Sequence, residues 1–150
     1  MTNLHMPARH DWVALLPRIG LRPHEKYDPD RARALAAEME ASGLWTAPLL
    51  IEREHRIILD GHHRWEAAKR LGLRTVPAVL IAYDDPRLSL TAWRLGERWL
   101  RRDVIARALS GHLCPIKTTR HTLLPALETI AVRLADLHRQ AIPIALGHGR

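Results

Sequence analysis

The segment Ile57–Gly72 constrains this chain most, because it has the pattern of a buried strand that passes through a tight turn into a helix. Its first three residues are apolar, Gly61 permits a backbone conformation closed to most residues, and Gly72 is a typical helix-ending residue. A helix that begins directly after such a turn presents unpaired N–H groups and about half a positive charge. The segment therefore predicts an anion-binding site.

Four polar residues occupy this turn and the start of the helix: Asp60, His62, His63 and Arg64. The guanidinium of Arg64 can hold a phosphate through two parallel hydrogen bonds, and the imidazoles offer further donors. Asp60 is a hard oxygen ligand of the kind that holds Mg²⁺ against phosphate oxygens. A role for Asp60 as a helix cap alone would leave the three polar residues that follow Gly61 unexplained. We therefore predict a polyphosphate site with a magnesium-binding carboxylate beside it.

Composition limits the remaining choices. A chain of 150 residues, 47% hydrophobic and 26% charged, has room for one core, and we expect one domain over residues 1–150, with 1–11 loose and 122–150 as its C-terminal extension. The net charge of +7 favours anionic partners such as nucleotides. The single cysteine, Cys114, excludes an internal disulfide and a cysteine-rich zinc site. Because no apolar run approaches the length of a membrane span, we expect a cytoplasmic protein.

Periodicity and turn residues predict alternating strands and helices in the first half of the chain. Asp28 suits the N-cap of a helix, Pro29 its first position and Gly43 its end. The core face of this helix is predicted to consist of Ala32, Leu35, Ala36 and Met39. A second helix is predicted over residues 62–72, and strands over residues 12–16, 49–53, 56–60 and 76–83.

From residue 88 onward the pattern changes. Apolar residues recur at helical spacing, which predicts a helix with a core face made of Leu88, Ala92, Leu95 and Trp99. Basic residues on another face predict a solvated stripe made of Arg94, Arg98 and Arg101. Asp103 is predicted to cap a short helix that ends at Leu109. The apolar residues between Leu127 and Leu137 fit either an amphipathic helix or an extended segment.

Two further segments have side chains suited to ligand binding. Glu25 follows His24 in the loop before the first helix. Trp93 lies off the apolar stripe of its predicted helix, so it faces either a neighbouring loop or a ligand. A run of hydroxyls, fixed cations and a titratable histidine predicts a clamp for phosphate or carboxylate, and it consists of Lys117, Thr118, Thr119, Arg120 and His121.

These motifs together resemble the ParB/sulfiredoxin-like superfamily. The sequence DGHHR at residues 60–64 is similar to the nucleotide-binding turn of the free L-serine kinases of that group, and residues 117–121 resemble their K-[ST]-T-R-H segment. The resemblance implies an α+β fold, a small mixed sheet with flanking helices. It also implies that residues 61–64 hold the phosphates of a nucleotide that donates a phosphoryl group, and that Asp60 holds Mg²⁺. Trp93 and residues 117–121 would hold the small molecule that accepts this group.

The resemblance also implies a role for Glu25 as the base that acts on the substrate hydroxyl. An alcohol is a poor nucleophile at neutral pH, so a carboxylate within hydrogen-bond reach must orient it and accept its proton. The expected activity is transfer of a phosphoryl group from ADP or ATP to free L-serine. The alternatives are a non-catalytic regulator that binds CTP or ATP and contacts DNA through the basic stripe, and a nuclease with Glu66 as a second carboxylate.

Overall fold

The computed structural model describes residues 12–138. In this part of the chain, strands and helices alternate. The strands are β1 (Ala14–Pro17), β2 (Leu44–Trp45), β3 (Leu49–Glu52), β4 (Ile57–Asp60), β5 (Thr75–Ile81), β6 (Leu88–Ala92), β7 (Thr119–Leu123) and β8 (Val132–Arg133). The helices are α1 (Pro29–Ser42), α2 (His62–Arg70), α3 (Arg101–Ser110) and α4 (Leu134–Leu137). None of these helices is long and apolar enough to cross a membrane.

A four-stranded sheet in the order β1-β5-β3-β4 forms the centre of the molecule. β3 and β5 are parallel, whereas β1 with β5 and β3 with β4 are antiparallel. Apolar residues of the sheet are buried on both faces, because one core cluster contains Leu49, Ile51 and Ile58 and a second contains Leu50 and Leu59. The predicted small mixed sheet with flanking helices is confirmed.

The first helix begins and ends as predicted. The Asp28 side chain accepts a hydrogen bond from the backbone N–H of Asp30, and Gly43 ends α1 with a left-handed conformation at φ 74°. Ala32, Ala36 and Met39 are buried in the core, as expected for one face of an amphipathic helix. Leu35, the fourth predicted core residue, is half-buried: it packs against the main core cluster and also lines a cavity.

The helix predicted over Leu88–Trp99 is wrong. Residues 88–92 form strand β6, which pairs antiparallel with β7 in a separate two-stranded ribbon. Leu88 is buried, but Leu95 is fully exposed rather than part of the core. The physical reason is that the same residues also alternate with period two, and pairing with β7 satisfies their backbone groups. The helical spacing of the apolar residues was accidental.

The predicted basic stripe is lost with that helix. Arg94 and Arg98 lie in the irregular segment after β6, and only Arg101 belongs to a helix, as the first residue of α3. Asp103 lies two residues after this start, so it is not the N-cap. Its carboxylate accepts a hydrogen bond of 3.1 Å from the backbone N–H of Leu100 and in this way closes the first turn.

Residues 124–138 contain both predicted alternatives in short form. Irregular backbone runs from residue 124 to 131, two residues form β8 beside β2, and α4 has a single turn. Ile130, Leu134 and Leu137 are buried in the main core, and this explains their apolar character. The predictions for residues 1–11 and 139–150 lie outside the described residues.

Candidate active site

A cavity of about 530 Å³ lies where four segments of the chain meet. Its walls come from the loop before α1, the first half of α1, the β4–α2 turn, and the ribbon with the residues before it. The lining residues are Glu25, Arg31, Leu35, Leu59, Asp60, Gly61, His62, His63, Arg64, Trp93, Ile116, Lys117, Thr119, Arg120, His121 and Thr122. All the predicted site residues except Thr118 therefore line one cavity.

Thr118 is the exception because its side chain has a structural partner. It is buried, and its hydroxyl donates a hydrogen bond of 2.6 Å to the carbonyl of Pro115. Its own carbonyl accepts a hydrogen bond from the backbone N–H of Trp93. Thr118 thus ties the start of β7 to the end of β6 and does not reach the cavity.

The β4–α2 turn depends on Gly61. Its φ of 108° is a conformation that other residues rarely adopt, and a Cβ atom here would lie 2.4 Å from Cδ2 of the buried Leu49. No side chain caps the first N–H groups of α2. These groups and the positive end of the helix dipole therefore remain at the cavity wall, as expected for an anion site.

The two histidines of the turn have protein partners that the sequence does not show. Nε2 of His62 accepts a hydrogen bond of 3.3 Å from the backbone N–H of His24, and Nε2 of His63 accepts one of 3.0 Å from the backbone N–H of Asp28. Burial lowers the pKa of both side chains, that of His62 strongly. They are neutral acceptors at Nε2 and fix the loop that carries Glu25 to α2. Each ring then carries its proton on Nδ1, and donation to phosphate from that atom stays a prediction.

Glu25 lies deep in the cavity, and Thr119, the first residue of β7, holds its side chain. Its Oε2 accepts hydrogen bonds of 2.7 Å from both the backbone N–H and the hydroxyl of Thr119. Burial raises the pKa of the Glu25 carboxyl, and hydrogen bonds from Thr119, Thr118 and Lys117 act in the opposite direction. A carboxylate with raised basicity beside open space is suited to accept a proton.

His24 was missed as a site residue, and its adjacency to Glu25 is the one sequence signal for it. The side chain is fully buried, with Nδ1 2.8 Å from the carbonyl of Ile58 and Nε2 2.8 Å from the Thr119 hydroxyl. Burial lowers its pKa to about 4, so the imidazole is neutral at physiological pH.

Tyr83 was also missed, and it changes the reading of His121. The Tyr83 hydroxyl lies 2.7 Å from Nε2 of His121. Burial raises the pKa of Tyr83 and lowers that of His121 to about 3, so the tyrosine donates and the imidazole accepts. His121 was predicted to be titratable, but in this setting it is a neutral side chain that offers Nδ1–H as a donor.

Cations surround the remaining part of the cavity. The guanidinium of Arg120, in β7, stacks over the ring of Trp93, directly after β6, at 4.7 Å, so both residues lie at one wall. The Nε atom of Arg64 is buried and has no hydrogen-bond partner among residues 12–138, so it has donor capacity for a ligand. Arg31 was missed, because its exposed position in the first turn of α1 is ordinary for a solvated residue.

Comparison with known proteins gives the family. The family described as the ParB N-terminal domain matches residues 13–95, which is more than half of the chain. The chain belongs to the ParB N-terminal domain family. The matched part includes the central sheet, α1, α2 and the β4–α2 turn, so the part of the cavity wall formed by this turn lies within the family's own domain.

Among curated proteins, the chain is similar to several that are named L-serine kinases. It is 33% identical over 92 residues to an ATP-dependent L-serine kinase of Staphylothermus marinus, covering 59% of this chain and 36% of that protein. It is 27% identical over 77 residues to an ADP-dependent L-serine kinase of Thermococcus kodakarensis, covering 49% of this chain and 32% of that protein. The matched segments thus span about a third of the length of these relatives.

Solved structures give the same fold over a longer part of the chain. A free serine kinase variant in complex with ADP superposes with a TM-score of 0.76 at 15% identity, covering 83% of this chain and 93% of that one. A C-terminally truncated SbnI from Staphylococcus aureus has a TM-score of 0.76 at 16% identity, covering 92% of this chain and 94% of that one. This ParB-type domain therefore has the fold of the free serine kinases.

Proposed function

We propose that this protein is a small-molecule kinase that transfers a phosphoryl group from ADP or ATP to the hydroxyl of free L-serine, which gives O-phosphoserine. One observation carries the proposal: a single cavity brings Glu25 together with the α2 N-terminus, Asp60 and a cationic far wall. Phosphoryl transfer needs positioning and charge neutralisation more than covalent chemistry from the protein. The relatives named ATP-dependent and ADP-dependent L-serine kinases support the same reaction.

The donor's phosphates are assigned to the β4–α2 turn. The free N–H groups at the start of α2 and the unpartnered Nε of Arg64 provide donors for phosphate oxygens. A second cavity of about 270 Å³ shares Asp60, Arg64 and His121 with the first and continues toward Pro48 and Leu127. Its partly apolar wall suits the nucleoside, with the phosphates at the shared residues.

Mg²⁺ fits beside this turn. Asp60 is exposed at the end of β4 and lines both cavities, so its carboxylate can hold the ion against a phosphate oxygen. One carboxylate is enough for this arrangement, because Mg²⁺ takes most of its other ligands from phosphate and water. When bound, the ion neutralises charge on the transferring group. Glu66, the alternative second carboxylate, forms an ion pair of 3.1 Å with Lys69 and does not line the cavity.

The acceptor is assigned to the opposite wall. Lys117 and Arg120 supply positive charge for the carboxylate of an amino acid, and the Trp93 ring stacks on the Arg120 guanidinium. Glu25 lies between this wall and the phosphate site. A serine bound here presents its hydroxyl to the Glu25 carboxylate, which accepts the proton as the alcohol oxygen attacks phosphorus.

The direct test is to incubate the purified protein with Mg²⁺, L-serine and either ADP or ATP, and to detect O-phosphoserine by mass spectrometry. L-Threonine and L-homoserine in parallel reactions define the acceptor. A Glu25→Gln preparation purified identically is the control for contaminating kinases. Phosphoserine formed by the wild type alone is the expected result, and its absence with both donors would refute the proposal.

A non-catalytic nucleotide-binding regulator is the competing function within this family. It predicts binding of CTP or ATP without phosphorylated product, and DNA affinity that falls steeply with salt. The arginines assigned to DNA contact do not form a helical stripe, because Arg94 and Arg98 lie in irregular backbone. Nucleotide titrations under the assay conditions separate the two functions.

A further inference from the structure

Behind Glu25, three side chains form a continuous hydrogen-bonded row that ends in the protein interior. The Thr119 hydroxyl lies 2.7 Å from Oε2 of Glu25 and 2.8 Å from Nε2 of His24. Nδ1 of His24 lies 2.8 Å from the carbonyl oxygen of Ile58. A carbonyl oxygen can only accept a hydrogen bond, so Nδ1 of His24 carries a proton and donates a hydrogen bond to the Ile58 carbonyl.

This row has too few protons to satisfy all its acceptors when Glu25 is ionised. A neutral His24 with its proton on Nδ1 has an acceptor at Nε2, and an ionised Glu25 is also an acceptor only. The Thr119 hydroxyl has one proton and faces both of them. This hydroxyl can donate to Glu25 or to His24, but not to both. The acceptor that receives no proton then faces a lone pair of the Thr119 oxygen. The row is complete when Glu25 is protonated, because Glu25 then donates to Thr119 and Thr119 donates to His24.

We propose that His24 is a positioning residue that strengthens Glu25 as a base through Thr119, because the hydrogen-bonded row from a neutral His24 closes only when Glu25 has taken up a proton. The inference rests on the proposed function for the identity of the proton's source. Complete burial of His24 supports it, since a buried lone pair without a donor costs free energy. That cost is present with the ionised base and is removed in the protonated form.

In the proposed step, the O–H bond of the serine hydroxyl breaks, and its proton forms a bond to Oε2 of Glu25, the oxygen that faces the Thr119 hydroxyl. The alcohol oxygen forms a bond to the donor's terminal phosphorus, and the bond from this phosphorus to the bridging oxygen breaks, with its electron pair leaving on the nucleotide. The Thr119 hydroxyl keeps its own proton and turns its hydrogen bond from Glu25 to Nε2 of His24.

Other titratable groups face Glu25 and His24 from each neighbouring element. The His62 and His121 rings contact the His24 ring with centroid distances of 4.8 and 5.5 Å. The backbone of Cys114 forms an isolated parallel β-bridge with the backbone of Glu25. The other charged or titratable groups around the cavity are Arg31, Asp60, His63, Arg64, Lys117 and Arg120. None of these groups is itself changed in the His24 and Thr119 variants, so the double-mutant comparison isolates the row.

The first test needs no catalysis. In the protein without ligands, ¹³C NMR of the side-chain carboxyl carbons, with Glu25 assigned by comparison with Glu25→Gln, reports the pKa of Glu25. His24→Asn keeps a donor near the Ile58 carbonyl and removes the acceptor at Nε2. We expect this change to lower the Glu25 pKa by roughly half a unit to one unit, the equivalent of one neutral hydrogen bond.

A double-mutant cycle separates this effect from a structural one. In a Thr119→Val background the row is already broken, so adding His24→Asn should leave the Glu25 pKa unchanged. An equal shift in both backgrounds, or no shift in either, overturns the proposal. Wild-type protein provides a second measurement that does not depend on the variants folding. Its ¹⁵N shifts should show neutral His24 with the proton on Nδ1, and a proton on Nε2 at neutral pH overturns the proposal.

Kinetics connect the row to the reaction. His24→Asn should lower kcat about three- to tenfold and leave the nucleotide Kd unchanged, because only the basicity of Glu25 is altered. A pKa shift with no phosphoserine formed by the wild type would sink the serine kinase assignment and leave the proton row intact. Phosphoserine formation without coupling among the three residues would do the reverse.

Discussion

The two walls of the cavity are built in different ways. Asp60 to Arg64 are consecutive, and a strand end, a glycine turn and a helix start place them. On the other wall, Trp93 follows one ribbon strand and Arg120 belongs to its partner, where Thr91 pairs with Arg120. The first wall depends on local backbone geometry, and the second depends on the register of two strands distant in sequence. We therefore expect substitutions in the first wall to lower stability and nucleotide binding. Substitutions in the second wall should weaken the binding of serine.

Glu25 joins the two walls, and its replacement should have the largest effect. Its loop is fixed to α2 through His62 and His63, and its carboxylate is fixed to β7 through Thr119. Glu25→Gln keeps the size of the side chain and removes the base, so we expect serine phosphorylation to fall by about 10²- to 10⁴-fold.

Two measurements check this prediction: phosphoserine formation rates for kcat, and isothermal titration for nucleotide affinity. The nucleotide Kd should stay within about twofold, because the phosphate site lies on the other wall and a loss of roughly 0.4 kcal/mol or less is expected there. Wild-type turnover by Glu25→Gln would contradict the assignment of the base. A large loss of nucleotide affinity would contradict the separation of the walls.

Gly61 tests the local wall. An alanine here must adopt a φ of 108° and bring its Cβ to 2.4 Å from Leu49 Cδ2. We expect Gly61→Ala to lower the free energy of unfolding by about 2–5 kcal/mol, combining the left-handed conformation with overpacking. Urea unfolding measures this change, and nucleotide affinity should fall with it.

Gly72 provides the matched control. It also has a positive φ, of 69°, but a Cβ there meets nothing within 4 Å. Gly72→Ala should therefore cost only the conformational part, about 1–2 kcal/mol. Equal losses for the two variants would show that the close approach to Leu49 is unimportant for the turn.

The same contrast explains how much the sequence could reveal. Signals within a few residues predicted the β3–β4 hairpin, the caps of α1 and the β4–α2 turn, because adjacent backbone atoms determine those structures. The ribbon was missed since β6 has two competing periodicities and its partner β7 contains mostly polar residues. Only tertiary pairing decides between a strand and a helix in such a segment.

The chemistry of the site follows a similar division. Glu25, Asp60 and Arg64 were predicted from motifs, and the structure places them around one cavity. The partners of the histidines were not predictable from spacing, because the His24–Thr119 contact joins residues 95 positions apart. Burial then makes His24 and His121 neutral, and no local pattern in the sequence indicates burial of a polar side chain to this degree.

Arg120 tests the wall that depends on strand register. Arg120→Gln removes the positive charge and keeps most of the side chain's length. We expect the KM for L-serine to rise about 10- to 100-fold, the loss of one charge-assisted hydrogen bond to a carboxylate, with the nucleotide Kd unchanged. Arg98→Gln is the control, since Arg98 is exposed on the segment after β6 and does not line the cavity. If Arg120→Gln raised the nucleotide Kd more than the KM for L-serine, the nucleotide rather than the amino acid would bind at this wall.

The smallest expected effect compares the walls by pH. Burial lowers the pKa of His24 from 6.5 to about 4 and that of His121 from 6.5 to about 3. Between these values the unfolded chain binds a proton at each position that the folded protein does not bind. Each histidine therefore reduces the free energy of unfolding as the pH falls below about 6.5, by up to about 1.4 kcal/mol per pH unit.

Urea unfolding at pH 7 and at pH 5 measures that slope. His24→Asn and His121→Asn should each make the loss of stability between the two pH values smaller than in the wild type, even though each variant is less stable at pH 7. His112→Asn, at an exposed position, controls for the substitution itself. Equal reductions for the two buried histidines would mean that both walls unfold in one cooperative transition. A reduction for His24 alone would show that the ribbon opens before the central sheet, because His121 would then be solvated before global unfolding.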